Sequence, residues 1–322
     1  MRKLIPALVA AAVTGLTYPA MAAPDVTQVV VHGRKLDWSD LARLRSKVPG
    51  PAMWKLTRGK GTVWVMAVLD EAPADLKWDD RFLKHLLSGA QTLITPGTAN
   101  FSADGEARYR RQSRLAPTTS LSAVVSPETY ARFATTVGRE KDLKLETYTG
   151  FTAERAGAEL YDNVVSRHSV ATDIPQAYQI AAMTYGTATK IEPALRFDGD
   201  ETIDQLLALD ASGNEACLNA YLDGIDYDLD TLPQVARDWA QGDVTEVSLF
   251  YRDTPDLGCD LLTPGWQARF EAPAITRMAD TIDKALDHGG QTVALMRFSQ
   301  LLRKGGILDQ LQARGVTVAP AE

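Results

Sequence analysis

Thr62 to Leu76 reads TVWVMAVLDEAPADL, and how this stretch is read decides the fold. Thr62 to Val68 is an unbroken run of apolar or β-favouring residues. A run this short, rich in Val and carrying Trp64, is a buried strand rather than a helix. It stops at Leu69-Asp70-Glu71, and Pro73 keeps the following chain out of regular structure. Chemistry in α/β proteins is placed at the carboxyl edge of such strands, which makes Asp70 and Glu71 candidate site residues. The plainer alternative is that both are solvated loop acids.

Upstream, Met53 to Leu56 supplies the second arm of a hairpin turning at Arg58-Gly59-Lys60-Gly61, where glycine gives the positive φ a tight turn needs. Downstream, Asp79 to Ser88 predicts a helix and Thr92 to Thr95 a strand. Pro96 to Leu115 reads as a loop or irregular helix. Ser126-Pro127-Glu128 starts a helix reaching about Val137, with Ser capping, Pro in the first turn and an early acid suiting the helix dipole. Further helices are expected over Thr152–Ser169, Pro175–Tyr185, Ile203–Leu209, Glu215–Leu222 and Leu232–Gln241, the last closed by Gly242. Ala194 to Phe197 suggests a short strand. In Ala274 to Leu286 the apolar Met278, Ile282 and Leu286 recur every fourth residue, as an amphipathic helix requires. Thr292 to Met296 reads as a strand, Ile307 to Arg314 as a helix capped by Gly315, and Val316 to Val318 as a last strand.

Residues 1–22 have the form of a secretory signal: Arg2 and Lys3, an apolar core from Leu4 to Leu16, and Ala20-Met21-Ala22. Cleavage is expected between Ala22 and Ala23, leaving a periplasmic or secreted protein with a lead-in segment, 23–50, before a domain over 51–320. No later run is long and apolar enough for a membrane span, so the exported chain is not expected to span a membrane. Asp25 to Lys35 contains a further expected strand, Val26 to Val31. The net charge of −7 argues against a nucleic-acid surface. Cys217 and Cys259, in an exported chain, are expected to form a disulfide, with two buried thiols as the alternative.

Several segments resemble the TraB/GumN family, which groups with Tiki-type metalloproteases and EreA/ChaN-like proteins. They are Pro51–Thr95 with Trp54 and Pro73, Arg237–Asp243 (RDWAQGD), the helix Ala274–Leu286, and Gln291–Gly315. The resemblance implies an α/β fold, an EreA/ChaN-like central sheet flanked by helices, in two pseudo-repeated halves. It also implies a metal site where two strands each end in a Gly-x-x-His motif. Here those motifs read Ala67-Val68-Leu69-Asp70 and Arg297-Phe298-Ser299-Gln300. The family's strand-end Glu falls on Thr95 or Pro96, and its Arg-Asn pair on Ala274 and Ile275. The apolar framework matches, whereas the polar positions expected to carry metal or chemistry depart from the pattern.

A Mn- or Zn-dependent hydrolase needs imidazole or carboxylate ligands converging on one ion with a position open to water. Asp70 could still ligate a hard cation, Gln300 offers only a neutral amide oxygen, and Thr95 cannot act as a general base. His32, His85, His168 and His288 are nowhere spaced three or four apart, and no nucleophile elbow, dinucleotide fingerprint or phosphate loop occurs. Asp226, Asp228 and Asp230 imitate the start of an EF-hand, but Thr231 and Arg237 stand where Gly and Glu are needed.

Two classes of function follow. The first is a binding or regulatory protein on a hydrolase scaffold that has lost its ligands, with no cofactor and an envelope protein or peptide as partner. The second is a metal-dependent hydrolase or peptidase with an altered site at Asp70 and Glu71, using a divalent metal such as Mn or Zn. The substitutions favour the first. In that case Asp70, Glu71, Thr95, Arg297 and Gln300 are a vestigial site. Arg297 or Gln300 could then satisfy Asp70, since an unpaired buried carboxylate is strongly disfavoured. The plainer expectation is that Arg297 reaches out to solvent and Asp70 stays hydrated.

Overall fold

Six strands assemble around the Thr62–Val68 run in a computed structural model that describes residues 36–262 and 265–322. The expected signal segment 1–22, its Ala22–Ala23 cleavage point and the strand Val26 to Val31 lie outside the described residues. Strands β1 (Met53–Arg58) and β2 (Gly61–Val68) form the antiparallel hairpin, with Arg58 opposite Gly61 and Gly59 at φ 57° in the turn. β3 (Thr92–Thr95), β4 (Lys190–Pro193), β5 (Gly290–Arg297) and β6 (Thr317–Pro320) complete the sheet in the order β6-β1-β2-β5-β3-β4. β2, β5, β3 and β4 run parallel, while β1 is antiparallel to both β2 and β6.

The two strands that the resemblance singled out are immediate neighbours. β2 and β5 pair in register from Gly61 opposite Gly290 to Val68 opposite Arg297. Strands covered on both faces need no polar alternation, and Val65–Val68 and Val293–Met296 are buried at every residue.

Helices cover this sheet because each offers an apolar stripe. Helix α1 (Arg81–Gly89) buries Leu83, Leu86 and Leu87. Helices α2 (Ala153–Arg167) and α3 (Ala211–Asp230) belong mainly to a second layer. Helix α4 (Leu232–Ala240) sends Trp239 inward, and its indole N–H donates to the Ala67 carbonyl at 2.8 Å. This meets the polar edge that a buried Trp must satisfy and explains the segment Arg237–Asp243. Gly242 ends α4 at φ 74°, with the Asp243 N–H donating back to the Asp238 carbonyl. Helix α5 (Pro255–Leu262) packs on α3. Helix α6 (Ala272–His288) lays Ile275, Met278, Ala279, Ile282 and Leu286 on the sheet. Each of the larger buried side chains, Ile275, Met278, Ile282 and Leu286, contributes about 1.5–3 kcal/mol. The approach is so close that a Cβ at Gly61 would stand 1.9 Å from the Leu286 carbonyl oxygen.

A second apolar core lies in the helical layer, where Leu121, Phe133, Tyr148, Leu160, Leu218 and Ile225 come together. Cys217 on α3 and Cys259 on α5 meet in it at disulfide distance, their Cα atoms 4.9 Å apart. Of the lead-in segment, residues 36–50 are described. They form a 3-10 turn at Asp40–Arg43 and fix to the far end of the chain through Ser39 N–H to Leu302 O and Lys47 N–H to Ala321 O.

Several expectations need correcting. Pro96–Leu115 contains a regular helix, Ala103–Gln112, capped by Ser102. The strand expected at Ala194–Phe197 is Arg196–Asp198, which pairs with Thr98–Asn100 outside the main sheet; the sheet's edge is Lys190–Pro193. The helix expected to end at Leu222 runs to Asp230, so the EF-hand-like acids lie on a helix and not in a loop. After β5 no turn intervenes: helix α7 (Phe298–Leu302) begins at once and carries Gln300. No helix among the described residues is long and apolar enough to cross a membrane.

Candidate active site at the sheet edge

Asp70 stands two residues beyond the end of β2, beside Arg297 at the end of β5, and the two form an ion pair. The parallel register creates this meeting by setting Val68 opposite Arg297. Tyr251 donates its hydroxyl to the other Asp70 oxygen at 2.7 Å. Asp70 is 8% exposed, so these donors stand where water would otherwise be. Arg297 therefore does not turn away to solvent and Asp70 is not left hydrated, contrary to the plainer expectation. Burial works to lower the Arg297 pKa, but the charge and hydrogen bond of Asp70 outweigh it and leave it raised. Burial and the Asp70 charge raise the Tyr251 hydroxyl well above its ordinary value, keeping it a donor. An aromatic wall holds Tyr251: it stacks on Phe298 at 5.2 Å and meets Trp38 edge-on at 5.7 Å.

The backbone here is stitched to a distant loop. Ala72–Pro73 pairs with Val170–Ala171, the Ala74 N–H donates to Ser169 O, and the Ile174 N–H donates to Asp70 O at 2.8 Å. Ser169, Asp173 and Ile174 have φ of 58°, 59° and 57°. For a β-branched residue such as Ile174 this left-handed conformation costs about 1–3 kcal/mol, and it persists only where surroundings enforce it.

Glu71 points to the other layer. The Tyr161 hydroxyl on α2 lies 2.5 Å from Glu71 Oε1 and 2.5 Å from Asp228 Oδ2 on α3. A phenol has one proton, so it can donate to only one carboxyl; the other must carry a proton for both contacts to be hydrogen bonds. Electrostatics agree. Burial, followed by the Asp228 charge, raises Glu71 well above the usual carboxylate range. Burial pushes Asp228 up to about 6, against the pull of its hydrogen bonds to Tyr161 and Glu71. Arg252, whose charge acts on Asp228, is itself lowered by burial; it donates to the Ala220 carbonyl at 3.2 Å and stands 3.9 Å from Asp223.

These donors do not suit a divalent cation. One Asp70 oxygen faces a guanidinium and the other a hydroxyl proton, and Glu71 is held by a phenol. Among the described residues no group of three or more His, Cys, Asp or Glu could hold a metal ion. Thr95 bonds to the Glu192 carbonyl at 3.5 Å, and β3 pairs with β5 only as far as Ile94 opposite Ala294, short of Arg297. Gln300 is not among Asp70's partners, and its Oε1 is buried without one. Of the residues singled out by sequence, Asp70, Glu71 and Arg297 thus cluster at the sheet edge, while Thr95 and Gln300 make no hydrogen bond to Asp70.

Sequence reasoning missed Tyr251 and Tyr161 and set Asp228 aside as part of a false EF-hand. The spacing of Tyr161, Asp228 and Tyr251 gave no signal, because the fold brings them in from 67 to 181 residues away. Comparisons with curated proteins and with solved structures return no match. The family model described as TraB/PrgY/gumN matches residues 52–320, most of the chain, and the chain therefore belongs to the TraB/PrgY/gumN family.

Proposed function

We propose that this is an exported binding or regulatory protein on a TraB/GumN scaffold, acting without a metal at the Asp70 position. The observation that carries the reading is the pairing of both Asp70 oxygens, one with Arg297 and one with Tyr251. Both Asp70 oxygens are engaged, so a metal ion would have to displace a guanidinium already paired in a buried site and the hydroxyl beside it. The signal-like residues 1–22 support export, and a cysteine pair at disulfide distance suits an oxidising compartment. The test is calorimetric titration of the purified protein with Mn²⁺ and with Zn²⁺. The expected result is no tight one-to-one binding. Tight binding that disappears in Asp70→Ala would overturn the reading and revive the alternative of a metal-dependent hydrolase.

A further inference from the structure

The two margins of the main sheet are treated differently. β6 is bordered by the lead-in segment, whose Lys47 N–H donates to the Ala321 carbonyl just beyond that strand. At the opposite margin β4 pairs with β3 alone, and among the described residues no strand pairs with its outer edge. The Lys190 N–H donates inward to the Gln91 carbonyl at 2.9 Å, and the Ala194 N–H to the Thr95 carbonyl at 2.8 Å. Alternate residues of a strand in a parallel ladder bond to opposite sides, so the Ile191 N–H and C=O face outward. Pro193, the next outward residue, has no N–H to leave unpaired, which suits an edge.

The same margin is apolar. Eight large apolar side chains are exposed among the described residues, and four of them, Tyr178, Tyr185, Ile191 and Phe197, fall within this one stretch of chain. Single exposed apolar residues are ordinary, but a concentration of this kind marks a contact surface. Arg196–Asp198, which carries Phe197, pairs with Thr98–Asn100 in parallel just as β4 pairs with β3. The chain from Lys190 to Asp198 is therefore the outer strand throughout.

An open edge is a template for another strand, and this one is complementary to itself. Two copies related by a twofold axis pair such edges antiparallel. With the axis at Ile191, its N–H and C=O exchange two hydrogen bonds with Ile191 of the partner subunit. Lys190 then faces Glu192 of the partner subunit, and Glu192 faces the partner's Lys190, at the closer, non-hydrogen-bonded positions of the ladder. Within one chain Lys190 and Glu192 already pair, at 71% and 43% exposure, where an ion pair contributes little. Two copies turn that pair into a ring of four alternating charges. Tyr185 and Phe197 stand six residues to either side of Ile191, so the same axis brings Phe197 to the level of Tyr185 of the partner subunit.

We propose that the β4 margin is a self-association surface, on which a second copy of this chain docks antiparallel about Ile191 and continues the sheet. A second copy is the occupant because its own sequence supplies the opposite charge and the aromatic at each matching level. This goes beyond the binding-protein reading and does not rest on it, since Asp70 lies at the end of β2 and takes no part.

The experiment is sedimentation equilibrium of the full chain from about 1 µM to about 1 mM, the range in which small interfaces associate. A monomer–dimer equilibrium is expected. Lys190→Glu places a carboxylate opposite Glu192 of the partner subunit, and Glu192→Lys places an ammonium opposite the partner's Lys190. Each should weaken the dimer about tenfold, because two attractive cross-strand pairs become repulsive. Both side chains are exposed, so melting should not change. Equal mixing of the two variants makes every cross-strand pair attractive again and should restore association to about the parent level. A protein monomeric throughout would overturn the proposal, leaving Lys190 and Pro193 as guards of a closed edge. A dimer that ignores both charge reversals, or that mixing fails to restore, would overturn it by placing the contact elsewhere.

Discussion

Asp70 and Glu71 are consecutive and equally buried, at 8% and 9% exposure, yet their carboxyls are accommodated in opposite ways. Asp70 turns to the sheet and meets a guanidinium. Glu71 turns to the helical layer and meets a phenol and a second carboxyl, where a proton must supply what no close cation does. The difference teaches that backbone position alone does not set the chemistry of a strand-end acid. The layer that receives the side chain does, and here the sheet brings an Arg while the helices bring a Tyr and an Asp.

The largest expected effect tests the cation half of this comparison. Arg297→Met removes the guanidinium and leaves Asp70 buried with one donor. The expected loss is about 3–5 kcal/mol in urea denaturation at pH 7, the usual cost of breaking a buried pair from one side. Asp70→Leu combined with Arg297→Met should recover most of that loss, since a buried pair replaced by apolar groups is often neutral. A single variant within about 1 kcal/mol of the parent would mean that water or Tyr251 suffices for Asp70.

The next effect concerns the layer that receives Glu71. Cys217 and Cys259 close a span of 42 residues joining α3 to α5. Replacing both with Ser should cost about 2–4 kcal/mol on the chain-entropy account. Because both lie in the second core, amide exchange should quicken in α3 and α5 while β2 and β5 stay protected. Uniform quickening across the sheet would show that the two cores do not respond separately.

The legible part of this molecule was the part written in apolar periodicity. β2, β5 and α6 could be read because burial on both faces, or on one stripe, leaves a pattern in one dimension. Lys190–Pro193 could not, because this edge strand is largely exposed and its burial leaves no alternation. The helix Ala103–Gln112 was hidden for the same reason: Gly105 is its one buried residue, so it has no apolar face to read. At the site, Asp70 and Arg297 could be placed together from the two strand ends. Tyr251, Tyr161 and Asp228 could not, because α2, α3 and the helix Val244–Phe250 bring them in from afar, and nothing local marks a Tyr that will meet an acid. Asp228 was misread because its spacing with Asp226 and Asp230 looked like a loop while the chain there is helical.

The proton half of the comparison makes a pH prediction. Asp228 is raised from 3.8 to about 6 and Glu71 is raised well above 4.5, so the folded state holds more protons than the unfolded chain above pH ~4. Stability from this cluster is thus fully present below that range and falls as pH rises through about 6 and beyond, by at most ~1.4 kcal/mol per pH unit for each proton. The two carboxyls titrate as a pair. Other charges reach it as well: Asp70 and Asp256 act on Glu71, and Arg252 on Asp228. Asp228→Asn keeps the shape and removes one titration, so its stability should fall less steeply between pH 5 and 8 than the parent's. An equal slope would assign the dependence to the other raised carboxyls, Glu154, Asp162 and Asp260.

The smallest effects separate the two tyrosines, which look alike in sequence and do opposite work. Tyr251 donates to an acid already paired with a cation. Tyr251→Phe should therefore cost about 1 kcal/mol, one hydrogen bond's worth, with Arg297 still in place. That cost should be nearly the same at pH 5 and pH 8, because no proton is shared there. Tyr161 bridges two carboxyls that also hydrogen-bond to each other. In Tyr161→Phe, Glu71 and Asp228 are left with that direct contact alone, holding a shared proton or repelling. At pH 5, where a carboxyl proton is available, the loss should be slight; at pH 8 it should grow, because both acids are driven toward charge in a buried site with Arg252 as their main counter-ion. Urea denaturation of both variants at the two pH values decides it. A pH-dependent loss in Tyr251→Phe together with a flat one in Tyr161→Phe would reverse the assignment and place the shared proton at Asp70.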